Sequence, residues 1–139
     1  MQKTSVLRQS VHFPVPPQRL YRTYLSSKLH GAAIGSTALI VPRVGGRFQA
    51  WDGYITGRNL QLVPNRRVVQ SWRASDWATD ASDSILILDF ETTPGGAVLH
   101  LTQVGVPRAL AASLRKGWAA YYWRPWLRQL GAPKNGPRR

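Results

Sequence analysis

Residues 45–73, GGRFQAWDGYITGRNLQLVPNRRVVQSWR, constrain the fold more than any other part of the chain. Asp52-Gly53 lies between two short runs of alternating apolar and polar residues. Such a dipeptide between alternating segments marks a tight hairpin. Pro64-Asn65 marks a second turn, between a run ending at Val63 and one starting near Arg67. The stretch predicts antiparallel strands at 47–51, 54–63 and 67–74. A sheet of this kind carries an apolar face that another element must cover.

Flanking segments supply that cover. In residues 5–13, Leu7, Val11 and Phe13 share one parity and Arg8, Ser10 and His12 the other, with Val6 and Gln9 as exceptions. This is an imperfect half-buried strand pattern. Pro14, Pro16 and Pro17 end it; Pro17 suits the first turn of a helix, in which Leu20, Tyr21, Tyr24 and Leu25 recur at helical spacing. Ser26-Ser27 and Gly31 interrupt it, leaving room for a second short helix over 28–33. Residues 41–46 read as a strand end and turn, and 75–83 as a polar loop. Strands follow at 85–91 and 97–104 around the hairpin loop 93–96, after which Gly105 and Pro107 punctuate the chain.

From Pro107 to Leu130 the period changes from two to about 3.6. Leu110, Leu114, Trp118, Tyr121, Tyr122 and Trp126 form one apolar face. Pro125 predicts a kink, and Gly131 a stop. Residues 132–139, basic and rich in Pro and Gly, are expected to be disordered. Helices lie at the two ends of a strand run, which predicts an α+β fold. Its sheet, of six to seven strands, curls around the long C-terminal helix in one domain over 1–131. Between helix and sheet lies either packed core or a ligand pocket.

The chain has no cysteine, which excludes thiol catalysis, thiolate metal sites and disulfides. Its first residues lack the apolar core of a signal peptide, and no apolar run approaches the ~18 residues of a membrane span. A cytoplasmic protein is the expectation. Nineteen basic residues against six acidic ones give a formal charge of +13, a field that attracts polyanions. Those residues are dispersed along the chain, with no block of like charges and no recognition motif, which argues for a solvated basic surface over a dedicated nucleic-acid role.

Catalytic constellations are sparse. His12, His30 and His100 are far apart and form no zinc-type pair. Asp76, Asp80 and Asp83 lack the spacing of a calcium loop. Asp52 is expected to bond backbone amides in its own turn. No metal, cofactor or enzymatic activity is expected. The aromatic residues are the better lead. Trp72, Trp118, Tyr121 and Tyr122 come from two elements that should face each other, with Leu88 and Phe90 on the apolar parity of the 85–91 strand. They form either a packed aromatic core or the lining of an apolar pocket with polar handles. Gln103 and Arg73 supply such handles if their parity points inward, which one bulge would reverse.

Several pieces in order resemble a known family. They are Pro17-Gln18-Arg19-Leu20-Tyr21, Gly45-Gly46-Arg47-Phe48, Trp51-Asp52-Gly53 with Ile55 and Gly57, and Leu62-Val63-Pro64. Val69-Gln70-Ser71-Trp72-Arg73, Leu101-Thr102-Gln103 with Gly105-Val106-Pro107, and Gly117-Trp118 with Tyr121-Tyr122-Trp123 continue the series. Over roughly residues 5–131 the chain resembles the family named for the activator of the Hsp90 ATPase, at that activator's C-terminal domain, within the START-like helix-grip superfamily. The resemblance implies a curved sheet gripping a helix around a cavity. It also implies either a small apolar or amphipathic ligand, held without a cofactor, or a chaperone ATPase as partner. The pocket candidates are Trp72, Leu88, Phe90, Gln103, Trp118, Tyr121 and Tyr122.

Overall fold

A computed structural model describes residues 3–131; the expected disordered tail lies outside them. The strands are β1 (Thr4–Phe13), β2 (Ala38–Ile40), β3 (Arg47–Ala50), β4 (Ile55–Val63), β5 (Arg67–Ala74), β6 (Ser84–Thr93) and β7 (Gly96–Pro107). They form one antiparallel sheet in the order β1-β7-β6-β5-β4-β3-β2. Helices α1 (Pro17–Leu25) and α2 (Ser27–Ile34) follow β1. A 3₁₀ turn (Arg108–Leu110) then leads into α3 (Ala111–Trp118), a π-helical segment (Ala119–Trp123) and α4 (Arg124–Leu130). This is the α+β helix-grip architecture that the sequence predicts.

Strand parity sorts the side chains. Leu7, Phe13, Val68, Trp72, Leu86, Leu88, Leu99 and Leu101 are buried on the inner, helix-facing side. On the outer side, Asp89 pairs with Arg67, its register partner across β5 and β6, at 2.7 Å. His100 bonds Ser10 and Glu91 there, on the face opposite Leu99 and Leu101. Gln9, an exception in the β1 pattern, faces inward because the helix needs it: its amide accepts from Trp123 Nε1 at 2.9 Å and donates to the Arg115 carbonyl.

Both sheet edges are blunted, which suppresses pairing with another strand. At β2, Ser27 Oγ accepts from the Ile40 amide and donates to the Ile40 carbonyl. At β1, Arg115 donates to the Arg8 carbonyl.

Three local features differ from expectation. The hairpin around Asp52-Gly53 is a four-residue turn closed by the Ala50–Ile55 pair, with positive φ at Trp51, Asp52 and Gly53. Asp52 makes no side-chain hydrogen bond among the described residues, so its predicted local amide bond is not found. β7 runs through Gly105, where the chain was expected to leave the sheet. Ser5 pairs with Val106 but Val6 with Val104, so Gly105, at φ +85°, is a bulge residue that glycine accommodates without a Cβ clash.

The third difference is in the C-terminal helix. Just before Pro125 the chain widens into a π turn, where the Arg124 amide bonds the Ala119 carbonyl five residues back. In a regular α-helix the Pro125 ring would collide with the carbonyl four residues earlier; the wider turn moves that carbonyl aside. The π turn also brings residues five apart into line. Trp118 and Trp123 stack with centroids 5.4 Å apart and planes 13° from parallel.

Candidate functional site

Most of the space between helix and sheet is filled. Phe13, Tyr24, Trp123 and Trp126 interlock there in edge and tilted contacts. Polar groups inside this aromatic core are paired in two chains, apart from the buried indole N–H groups of Trp72 and Trp126, which have no partner among the described residues. In the first, Trp118 Nε1 donates to Gln103 Oε1 at 2.8 Å, Gln103 Nε2 donates to Ser84 Oγ at 3.0 Å, and Ser84 Oγ donates to the Trp72 carbonyl at 2.7 Å.

The second chain centres on His30, which is 2% exposed. Its Nδ1 lies 2.7 Å from the Tyr24 carbonyl. A carbonyl only accepts, so Nδ1 carries the proton and Nε2 accepts from the Tyr122 hydroxyl at 2.9 Å. Burial lowers the His30 pKa to about 4, against a smaller raising effect from the Tyr24 carbonyl. Burial also pushes the Tyr122 phenol up. Tyr24 donates to Gln70, Gln70 donates to Asn59, and Asn59 Nδ2 donates to the Val41 and Arg43 carbonyls, which tethers the loop before β3. His30 is thus a neutral structural hub walled off from solvent.

The filling stops at one end. Where α3 passes the β3–β4 turn, a cleft of about 420 Å³ opens, within the ~300–1,000 Å³ typical of small-molecule sites. Trp51 and Tyr54 of the turn and Ile55 and Trp72 of the sheet form one wall. Ser113, Leu114, Gly117, Trp118, Tyr121 and Tyr122 form the other. At the mouth, the Trp51 and Tyr121 rings meet nearly edge-on with centroids 5.6 Å apart. Trp51 holds φ +55°, an unusual conformation for a bulky side chain, of a kind that clusters at ligand clamps and active sites. Tyr54 donates to Asp76 at 3.0 Å, and burial first, then that carboxylate, pushes its phenol up.

No charged residue lines the cleft. Ser113 Oγ donates to the Leu110 carbonyl in the 3₁₀ turn just before its helix, and His30 is not among the lining residues. The lining therefore offers aromatic and aliphatic surface with phenol and indole edges, a chemistry of apolar contact rather than proton transfer. Among the described residues no group of three or more His, Cys, Asp or Glu is placed to hold a metal ion. Asp76 and Asp83 are engaged separately, with Tyr54 and Arg73. No helix among the described residues is long and apolar enough to cross a membrane.

Of the pocket candidates, the structure brings Trp72, Trp118, Tyr121 and Tyr122 together at the cleft. Leu88 and Phe90 lie elsewhere: Leu88 is fully buried in the core, and Phe90 packs edge-on against Tyr21. Gln103 faces inward but is bonded to Trp118 and Ser84, off the cleft lining. Arg73 faces outward, bonded to Asp83 and to the Ala78 and Ala81 carbonyls. Tyr121, grouped with the buried helix face in sequence, is 60% exposed, whereas Trp123, outside that group, is 3% exposed. Trp51, Tyr54, Leu114 and Gly117 escaped sequence reasoning as lining residues. Only the Asp-Gly turn signalled where the far wall would end.

Residues 14–125 match the family described as Activator of Hsp90 ATPase homolog 1-like protein. The chain is 29% identical over 111 residues to the human "Activator of 90 kDa heat shock protein ATPase homolog 1", covering 80% of this chain and 32% of that one. It thus spans about a third of the length of the curated relatives it matches. A crystal structure of an Hsp90 activator from Plasmodium falciparum superposes with a TM-score of 0.82 at 21% identity, covering 92% of this chain and 97% of that one. A crystal structure of a protein from Chromobacterium violaceum gives a TM-score of 0.75 at 24% identity, covering 92% and 98%.

Proposed function

We propose that this chain, which belongs to the activator of Hsp90 ATPase homolog 1-like family, binds a small apolar or amphipathic molecule in the cleft between the β3–β4 turn and α3. The observation that carries this reading is an uncharged, aromatic-lined cleft of about 420 Å³ in a core that is otherwise filled. A ligand with one or two fused rings fits that volume. It would gain about 25 cal/mol per Å² of apolar area buried, before association costs. Binding of this kind requires no cofactor.

Native mass spectrometry of freshly purified protein, with a fluorescence titration using anilinonaphthalene sulfonate, tests the reading. The expected result is a retained small molecule or saturable dye binding that Gly117→Leu abolishes. The absence of both a retained species and saturable binding would overturn it.

A second reading rests on the family itself, whose curated relatives are named as activators of a chaperone ATPase. Here the chain docks on such an ATPase as a protein-binding module. Assays of Hsp90 ATP hydrolysis and co-sedimentation at low salt test it. No stimulation together with no association would reject it. Dispersed basic charge leaves nucleic-acid binding behind both readings.

A further inference from the structure

The outer face of the sheet, turned away from the cleft, carries a second recess. A groove of about 610 Å³ crosses it from Ser71 on β5 to Leu39 on β2. Arg47 on β3 and Arg58 on β4 stand directly opposite each other in the register. Like charges at facing positions destabilise a strand pair. Arg58 donates to the Gly45 carbonyl at 3.1 Å, and among the described residues neither arginine meets a carboxylate. The one acid lining the groove, Asp83, is already paired with Arg73 at 2.9 Å. Beside the two guanidinium groups lie apolar side chains open to solvent, Leu39 at 61% and Val41 at 36% exposure.

We infer that this groove docks an acidic, amphipathic segment of a partner protein. Carboxylates would lie over Arg47 and Arg58, and an apolar side chain would rest on Leu39 and Val41. Bidentate arginine–carboxylate pairing suits that geometry. Strand addition is not the mode, because Ser27 occupies both backbone groups of Ile40 at this edge. Nucleic acid fits less well: no exposed aromatic ring lines the groove, its one aromatic, Phe48, being buried, and bases need stacking platforms. The inference stands apart from the cleft, which lies on the other face of the sheet.

The test is fluorescence anisotropy of a short fluorescein-labelled peptide in which glutamates alternate with leucines. The wild-type chain should bind it. Arg47→Glu with Arg58→Glu should abolish binding, Arg47→Gln with Arg58→Gln should weaken it about tenfold, and Leu39→Ser should weaken it about fivefold. Gly117→Leu, on the other face, should leave it unchanged, which separates failure here from failure of the cleft reading. Three results would overturn the inference: no binding by the wild-type chain, an equal loss on Arg8→Glu at the far edge of the sheet, or equally tight binding of polyglutamate or single-stranded DNA.

Discussion

Trp118 donates its indole N–H to the Gln103 side-chain oxygen at 2.8 Å, fixing the π-containing C-terminal helix to β7, next to the edge strand β1. The two atoms are buried, and Gln103 is itself held by Ser84. This amide and that of Gln9, which bonds Trp123 and the Arg115 carbonyl, together tie the helix to the sheet.

Replacing Gln103 with Leu leaves Trp118 Nε1 without an acceptor. The expected loss is about 2 kcal/mol in urea denaturation, the cost of an unmet buried donor. Adding Trp118→Phe should cost less than the sum of the two single changes, because the orphaned donor is then gone. Additive losses would show that the bond carries little weight.

His30 predicts a pH dependence. Its folded pKa, about 4, lies below its ordinary 6.5. Above pH 6.5 both folded and unfolded chains hold it neutral, and it contributes no slope. As the pH falls from 6.5 towards 4, the unfolded chain takes up a proton that the folded chain does not, so stability falls with pH across that window. The loss is at most about 3 kcal/mol at the lower end. Denaturation midpoints measured across the window should show this slope in the wild type and a shallower one in His30→Gln. Equal slopes would place the proton uptake elsewhere.

Gly117 sits in α3 on the cleft wall, and a Cβ there would meet only Tyr121, at an ordinary 3.7 Å. Gly117→Leu should raise stability by about 0.5–1 kcal/mol through helix propensity while its side chain fills the cleft. Thermal melting should rise as dye binding disappears. A destabilised variant would indicate that the wall is less open than its geometry implies.

Arg47→Glu should convert a repulsive cross-strand pair with Arg58 into an attractive one. A gain of about 0.5 kcal/mol is expected at low salt, fading as salt screens it. Melting curves at two ionic strengths check this; a loss at low salt would show that Arg47 has an attractive role not accounted for by the register.

The sheet was largely legible in the sequence because alternation and turn residues act locally. Asp52-Gly53, Pro64-Asn65 and Pro94-Gly95 each punctuate strands close to their observed ends. Gly105 misled because a glycine that ends a strand and one that forms a bulge within it look alike until the partner strand is known. The cleft was legible in part. Trp72, Trp118, Tyr121 and Tyr122 came from the facing elements, but Trp51 and Tyr54 depend on how a four-residue turn folds back towards α3. Burial of Trp123 and exposure of Tyr121 were hidden for one shared reason: a period of 3.6 cannot describe residues 119–123, which follow a wider turn.

That wider turn amounts to one surplus residue lodged in an otherwise regular helix. Trp126 and Leu130 lie beyond it and are buried, so their facing is set by the residue count upstream as much as by their own chemistry. Shortening 119–123 by a single alanine would let the helix close to its normal pitch with Trp126 and Leu130 still facing the core, while the Trp118–Trp123 alignment and the room for the Pro125 ring would be lost. The same deletion in a regular part of the helix would rotate everything beyond it by about 100°, so the π turn is where this helix can lose a residue and keep its buried face.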